Sequence, residues 1–453
     1  MRLNSLTVEN LRVFAGKHTI PFDAHSGVSV LLGNNGAGKT TILTAIQKLL
    51  SEYTNAFPNQ GRQMFSIDDV HMDEQGRYSD YLAAELSIGI EGREKDIVVS
   101  KYIAGLESKY KIPQGGTKEI YEYGSDLKVR YLNGEDVTFP IVAYYSTERG
   151  RIKAPERRRD FAKKFENYDA YTGALDAEAN FRRFFEWFDL QTSIENEEKN
   201  NLTQTAKTKK EFEEARDFQL ITLQAIRQAL PQLLDGKYSN PRILMSPMRF
   251  VVDEHIGDSK REFRIEKLSD GYRILIAMVC DLVARMAEAN PTKSVQEILD
   301  TPGVVLIDEI DLHLHPQMQR KIIHKLHNLF KNIQFIITTH SPLVALSAMD
   351  VAQILTMEDG GKINIDWNES MYQNYDVNQI LLSPLFGIPS VRSEKWDDIL
   401  DERKQLLQNK TKLNDEQKQK LKHLNEQILE LESTEPIQQS ELSILLQKLS
   451  TMV

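Results

Sequence analysis

Eight consecutive residues, Gly33, Asn34, Asn35, Gly36, Ala37, Gly38, Lys39 and Thr40, fit the pattern G-x-x-x-x-G-K-[ST]. Glycines at these places let the backbone wrap an anion so that its N–H groups point at phosphate oxygens. An apolar run at residues 28–32 precedes the pattern and an amphipathic run at residues 39–50 follows it, so the loop is expected to join a strand to a helix. The helix N-terminus adds positive potential. Lys39 is then expected to bridge the terminal phosphates of a nucleoside triphosphate, Thr40 to ligate Mg2+, and Asn34, Asn35, Gly36, Ala37, Gly38 and Thr41 to line the loop. A second group is Val304, Val305, Leu306 and Ile307 followed by Asp308 and Glu309, an apolar strand that ends in two carboxylates. Successive strand side chains point to opposite faces, so the two acids can take different tasks. Asp308 is assigned to the metal through its water shell, and Glu309 is the candidate general base for an attacking water.

Two further pieces lie around that pair. Leu268, Ser269, Asp270, Gly271 and Tyr272 open a helical pattern, and the apolar run at residues 335–337 leads through Thr338 and Thr339 into His340, Ser341 and Pro342. Phosphate loop, helix opening, acidic strand and histidine strand occur in the order found in ABC-type ATPases, and Ser269 to Tyr272 resembles their LSGGQ signature. The resemblance implies ATP as the nucleotide and a head-to-tail pair of heads. Ser269, Asp270, Gly271 and Tyr272 would reach the γ-phosphate held by the second head, and His340 would contact that phosphate and position the water. It also implies that the loop Asp311, Leu312, His313, Leu314, His315, Pro316 crosses the dimer interface. Asp270 and Tyr272 depart from the commonest signature, which bears on the rate of hydrolysis more than on geometry. His313 and His315 lack a third ligand in view and are not read as a metal site. The opening residues 6–14, with Asn10 and Arg12, resemble the SMC-like and DNA-repair branch, where an Asn-x-Arg stretch lies near the nucleotide; Arg12 would therefore touch phosphate.

The elements that must hold these groups follow from periodicity. Residues 1–150 read as strands punctuated by one helix, with strand-like runs at 3–8, 28–32, 82–90, 96–102 and 141–145. Phe181, Phe184, Phe185 and Phe188 share one helical face, and a second helix is expected over residues 211–230, stopped by Pro231. The polar stretch 195–210 suits an exposed helical arm, a mobile connection or a plain solvated surface. Beyond residue 240 strands and helices alternate, which implies parallel strands with crossover helices. The expected architecture is α/β, a two-lobed ABC-type head. Its parts are lobe I at 1–150, a helical arm at 151–240, lobe II at 241–392 and a C-terminal helical region at 393–453.

Composition narrows the setting. One cysteine, Cys280, excludes an internal disulfide, and no run approaches the roughly 18 apolar residues of a membrane span. A cytoplasmic protein is expected. A formal charge of −10 argues against a body that coats nucleic acid. A local basic run nevertheless exists: Arg149, Arg151, Lys153, Arg157, Arg158, Arg159, Lys163 and Lys164. It reads either as a functional surface, contacting ATP phosphate or forming a salt-dependent DNA path, or equally as an exposed helix face balanced by acids.

Asp281 and Leu282 after the signature, the run from Asp308 to Pro316, and Thr338 to Pro342 resemble bacterial AAA family ATPases of the OLD-like and Septu type. Those families act in anti-phage defence and pair the head with a nuclease. After His340 there is no Asp-x-Asp, as a fused TOPRIM nuclease requires, only Asp397 and Asp398. The resemblance therefore implies a separate nuclease subunit, of HNH type in Septu, docked on the C-terminal helices or facing helices used for self-association. Where the family carries a glutamine loop, residues 143–150 hold no Gln, so Glu148 and Arg149 stand as substitutes. Other readings are an SMC-like DNA-repair clamp, an ATP sensor that hardly hydrolyses, and, more remotely, a transporter subunit.

Overall fold

The computed structural model describes residues 1–23, 26–106, 108–150, 165–176, 181–245, 248–257, 259–358, 363–364, 372, 375–388, 390–408 and 415–432. The basic run beyond Gly150 lies outside them up to Phe165. The chain divides into two compact units, Met1–Ile380 and Leu381–Val453.

In the first unit, β1 (Arg2–Leu11) and β2 (Phe14–Pro21) form a hairpin, and β3 (Val28–Gly33) runs into α1 (Lys39–Thr54). β4 (Tyr81–Gly89) and β5 (Ile97–Ala104) follow, then α2 (Lys118–Leu132) and β6 (Ile141–Tyr145). The first antiparallel sheet has the order β2-β1-β4-β5. α2 is a helix that sequence periodicity missed: only Ile120, Gly124 and Leu127 of it are buried, a stripe too narrow to announce itself in a polar segment.

The arm consists of α3 (Phe181–Thr205), α4 (Lys209–Asp217) and α5 (Ile221–Leu233). Phe184, Phe185 and Phe188 share the expected face and pack edge-on around Phe250, with ring centroids 5.5–5.8 Å away. The polar stretch carries α3 on to Thr205 and contains the break before α4. Two helices replace the single one expected over 211–230, and Pro231 lies inside α5 instead of ending it. The break falls before α5, where Glu195 accepts a hydrogen bond from the Leu220 N–H at 2.9 Å and pairs with Arg227 at 2.8 Å.

β7 (Tyr238–Met245), β8 (Met248–Ile256) and β9 (Ser259–Arg264) make a three-stranded antiparallel sheet that was also unforeseen. β9 is almost wholly exposed and lacks the alternation that marks a half-buried strand. Then come α6 (Asp270–Ala289), α7 (Val295–Leu299), β10 (Gly303–Ile307), α8 (Pro316–Gln319), α9 (Ile322–Leu329), β11 (Ile333–Thr339), α10 (Pro342–Ala348), β12 (Gln353–Met357) and β13 (Ile363–Asn364).

The central sheet has the order β13-β12-β3-β11-β10-β6, parallel except for β13. Every residue of β6, β10 and β11 is buried, as expected for parallel strands covered on both faces. Gln334 of β11 fastens the first sheet to this one: its amide accepts from the Leu3 N–H at 2.6 Å and donates to the Leu3 carbonyl at 2.9 Å.

In the second unit, helices Glu394–Gln408 and Asp415–Glu432 pack together, with Arg403 donating to the Asn425 side chain at 2.7 Å. No helix among the described residues is long and apolar enough to cross a membrane.

Candidate active site

The carboxyl ends of β3, β10 and β11 lie side by side in the sheet, the place where α/β sheets bind ligands. β3 delivers the loop from Gly33 to Thr40. Gly38 has φ +99°, and a Cβ there would sit 2.7 Å from the side chains of Val13 and Phe14, so only glycine lets the β1–β2 turn close over the loop. Gly36 also has a left-handed φ, +86°. Lys39 is buried and donates to the carbonyls of Gly33 and Asn34, both at 2.8 Å. Burial lowers its pKa, and the carboxylates of Asp308, Glu309 and Asp311 oppose that shift.

Thr40, one residue into α1, donates to Asp308 Oδ2 at 2.9 Å. Asp308 is buried, and Thr338 at the end of β11 donates to its Oδ1 at 2.5 Å. The same Thr338 oxygen accepts the backbone N–H of Glu309 at 2.7 Å. Glu309 has φ +48°, a conformation that non-glycine residues rarely adopt and that needs support from outside. Support comes from beneath. Arg149, only 2% exposed, donates to the carbonyls of Ser146, Asp308 and Glu309. Burial lowers the pKa of its guanidinium, with Asp308, Asp311 and Glu309 pulling the other way.

The turn at Glu309 aims its carboxylate toward His340, whose Nε2 lies 4.0 Å from Glu309 Oε1. Burial holds the His340 pKa below the ordinary imidazole value, and the positive charge of Lys39 acts in the same direction; Glu309, Asp311 and Asp308 oppose both. The ring is therefore neutral at pH 7. Asp311 sends its carboxylate inward, accepting from the Thr339 hydroxyl at 2.5 Å and from the His340 N–H at 3.4 Å.

One model of a protein family matches residues 28–347 of this chain, that described as "AAA domain, putative AbiEii toxin, Type IV TA system". The chain belongs to this AAA family. The Retron Ec83 probable ATPase of Escherichia coli is 28% identical over 408 residues, covering 80% of this chain and 72% of that one. The Retron Vc95 probable ATPase of Vibrio cholerae serotype O1 biovar El Tor is 29% identical over 394 residues, covering 76% and 71%. Septu protein PtuA of Bacillus mycoides (strain KBAB4) is 33% identical over 180 residues, 39% of this chain and 24% of that one. Among solved structures, the SMC head domain from Thermotoga maritima covers 81% of this chain at 17% identity with a TM-score of 0.42.

In this AAA chain the remaining predicted residues are not all gathered at the loop. Ser269 is exposed at the N-cap position of α6 with no capping hydrogen bond from its side chain, while Asp270 is taken up by Arg273 at 2.9 Å. Gly271 is buried against the loop after the acidic pair, where a Cβ would lie 2.6 Å from the His313 carbonyl. The Tyr272 ring lies 4.4 Å from the Lys237 ammonium. None of these contacts reaches Lys39. Arg12 has φ +47° and donates through Nε and Nη2 to Asp69 Oδ1, at 3.0 and 2.7 Å, so a carboxylate already occupies its guanidinium. Among the described residues no cluster of three His, Cys, Asp or Glu is suited to hold a metal ion.

Sequence reasoning missed Thr338 as a functional group. Its signal was present in the pair Thr338 and Thr339 before His340, since hydroxyls closing a buried strand need partners. Arg149 was named as a substitute for a glutamine at the nucleotide, and the structure turns it under the acidic turn instead.

Proposed function

We propose that this chain is the ATP-hydrolysing head of an anti-phage defence system, working as a head-to-tail pair that governs a separate nuclease. The observation that carries the reading is the division of its polar groups. Lys39, Thr40, Asp308, Glu309 and His340 converge at one end of the central sheet. Ser269 to Tyr272 stand on α6 and make their contacts elsewhere. A helix N-terminus headed by an exposed serine whose side chain makes no capping hydrogen bond suits a phosphate brought from outside, and a second head presenting its own loop supplies one.

Within each composite site, Lys39 leaves the carbonyls of Gly33 and Asn34 for the terminal phosphates, which carry far more charge. Thr40 and Asp308, with oxygens 2.9 Å apart, are the residues that would hold a divalent cation, and the nucleotide's phosphates complete a set the protein alone does not provide. Bound there, Mg2+ would neutralise charge developing on the phosphates. Glu309 takes the proton of the attacking water, held on target by Arg149 and Thr338. Neutral His340 orients that water from the end of the neighbouring strand. Ser269 and Gly271 of the second head close over the γ-phosphate, with Asp311 at the crossing loop. Because ATP favours the closed pair, it is a switch on the geometry of the arms.

By similarity to the Septu relatives, the effector is a partner nuclease of HNH type, and DNA contact arises through that complex, in the cytoplasm. We assign residues 1–150 and 241–392 to the two head lobes, 151–240 to the arm and 393–453 to the docking region.

Mixed-subunit turnover tests this directly. Lys39→Ala and Ser269→Arg are each expected to be inactive alone and to regain partial ATP turnover when mixed, because one of the two shared sites is then intact. Phosphate release that stays at background in the mixture, with both variants folded, would falsify the composite site. Glu309→Gln is expected to retain ATP and accumulate as a stable pair, measured by light scattering.

A further inference from the structure

Tyr144 and Tyr145 are neighbours on β6 with opposite environments. Tyr145 faces α6, where its hydroxyl donates to Asp281 Oδ2 at 2.8 Å, and Arg285 donates to the same carboxylate oxygen at 2.8 Å. Tyr144 pairs with Leu306 in the parallel register of β6 and β10. Its side chain therefore shares a sheet face with Asp308, two residues further along the neighbouring strand, and that is the face on which Thr40 meets Asp308.

Tyr144 is 5% exposed, and its hydroxyl, which makes no hydrogen bond among the described residues, is not one of the side-chain atoms sealed from solvent without a partner. The charged groups facing it are Asp308, Arg149 and Arg12, and burial followed by Asp308 raises the pKa of the phenol. None of the three satisfies it. Arg12 is bound to Asp69, Arg149 to three backbone carbonyls, and Asp308 to Thr40 and Thr338. A phenol hydroxyl that has no protein partner and keeps access to solvent bonds to water instead. Its sheet face also carries a carboxylate and a threonine hydroxyl, both suited to a hydrated cation, so the water it meets there includes the shell of that cation. Other groups at the strand end do not serve: the Ser146 hydroxyl accepts the Glu148 N–H at 3.2 Å, and Arg149 is turned beneath the acidic turn.

We propose that Tyr144 is a positioning residue of the nucleotide site, its hydroxyl hydrogen-bonding a water of the divalent cation's shell beside Thr40 and Asp308. This rests on the reading that those two residues hold the cation. The strand then divides its adjacent tyrosines between two tasks, Tyr145 locking α6 to the sheet and Tyr144 ordering solvent at the phosphates.

The test uses the full-length chain with Tyr144→Phe and Tyr145→Phe side by side. Thermal unfolding is followed without nucleotide, and binding of a non-hydrolysable ATP analogue is titrated with Mg2+. Tyr144→Phe is expected to unfold at the wild-type temperature or slightly above, because no protein hydrogen bond is lost. It should need roughly five- to tenfold more Mg2+ for half-maximal binding, the effect of one missing hydrogen bond. Tyr145→Phe should do the reverse, unfolding earlier with an unchanged Mg2+ titration. The proposal is overturned if Tyr144→Phe titrates like wild type, whether or not its unfolding temperature falls. Lys39→Ala separates the two levels: loss of analogue binding there beside an unaltered Tyr144→Phe removes only the tyrosine's role, whereas retained binding in Lys39→Ala removes the nucleotide site itself.

Discussion

Replacing Thr338 by valine deletes one hydroxyl and keeps the shape of the side chain. That hydroxyl donates to buried Asp308 at 2.5 Å and accepts the Glu309 N–H at 2.7 Å. A hydrogen bond to a charged group contributes about 1.5–3 kcal/mol, and a buried N–H left unpaired costs about 1–3 kcal/mol. Thr40 still donates to Asp308, so a total near the lower end, about 3 kcal/mol, is expected. For a chain of this size that corresponds to a fall of roughly 3 °C in unfolding temperature. Catalysis should suffer more. Glu309 is held at φ +48° partly by this bond, and a displacement of about 1 Å in a catalytic group reduces turnover by about a hundredfold. KM for ATP should stay put, because Lys39 and the loop are untouched. Thr338→Ser restores the hydroxyl and is expected to recover most of kcat, which a purely volumetric effect would not permit. Steady-state phosphate release on wild type, Val and Ser, with calorimetry on the same samples, decides it. Equal kcat for the Val and Ser variants would show that the hydroxyl does not position Glu309.

Three further outcomes are expected. Arg149→Met should unfold early and lose turnover, since the Asp308 carbonyl loses its donor and those of Ser146 and Glu309 keep only the N–H groups of Arg149 and Leu312; about 1–3 kcal/mol of destabilisation follows, measurable by denaturant titration, and a variant as stable as wild type would contradict the bracing role. The His340 pKa is lowered, so the imidazole is neutral at pH 7 and its contribution to stability is full above the unfolded value near 6.5. That contribution is lost as pH falls through the depressed folded value, and turnover should decline over the same acidic range; His340→Gln should flatten this part of the pH–kcat profile. Gly271→Ala places a Cβ 2.6 Å from the His313 carbonyl, an overpacking of about 1–3 kcal/mol. ATP binding to the isolated head should survive while ATP-dependent pairing, followed by sedimentation, is lost.

The motifs were legible because the chemistry forces them into short, ordered strings. A phosphate loop needs its glycines and lysine within one turn of chain, and the acids and histidine must end apolar strands, so Lys39, Asp308, Glu309 and His340 announce themselves. Residues that serve the site from elsewhere carry no such string. Thr338 looks like any β-branched residue of a buried strand, and Tyr144 like its neighbour Tyr145, until the register of β6 against β10 separates their faces. Arg149 read as a stand-in for a glutamine at the nucleotide because it follows β6 and opens a basic run, whereas the carbonyls of Ser146, Asp308 and Glu309 lie where a forked donor can reach them together. The same logic explains the fold. Central strands with every residue buried were plain, while α2 and β9 bury too few residues to leave a period.

The short path between Asp311 and Gly271 carries a consequence for how two composite sites would communicate. Asp311 is tied to Thr339 and to the His340 N–H, so it registers the position of the histidine strand. Two residues later the His313 carbonyl presses on Gly271 with no room for even a methyl group, and His313 itself is held at φ +64°. A close-packed contact cannot be compressed, so a shift of the strand end is passed on to the first turn of α6 rather than absorbed. If Ser269 and Gly271 serve the phosphate held by the second head, each head's histidine is mechanically joined to its neighbour's nucleotide. Hydrolysis at one site would then alter the grip on the other through the short segment Asp311 to His313 and its contact with Gly271.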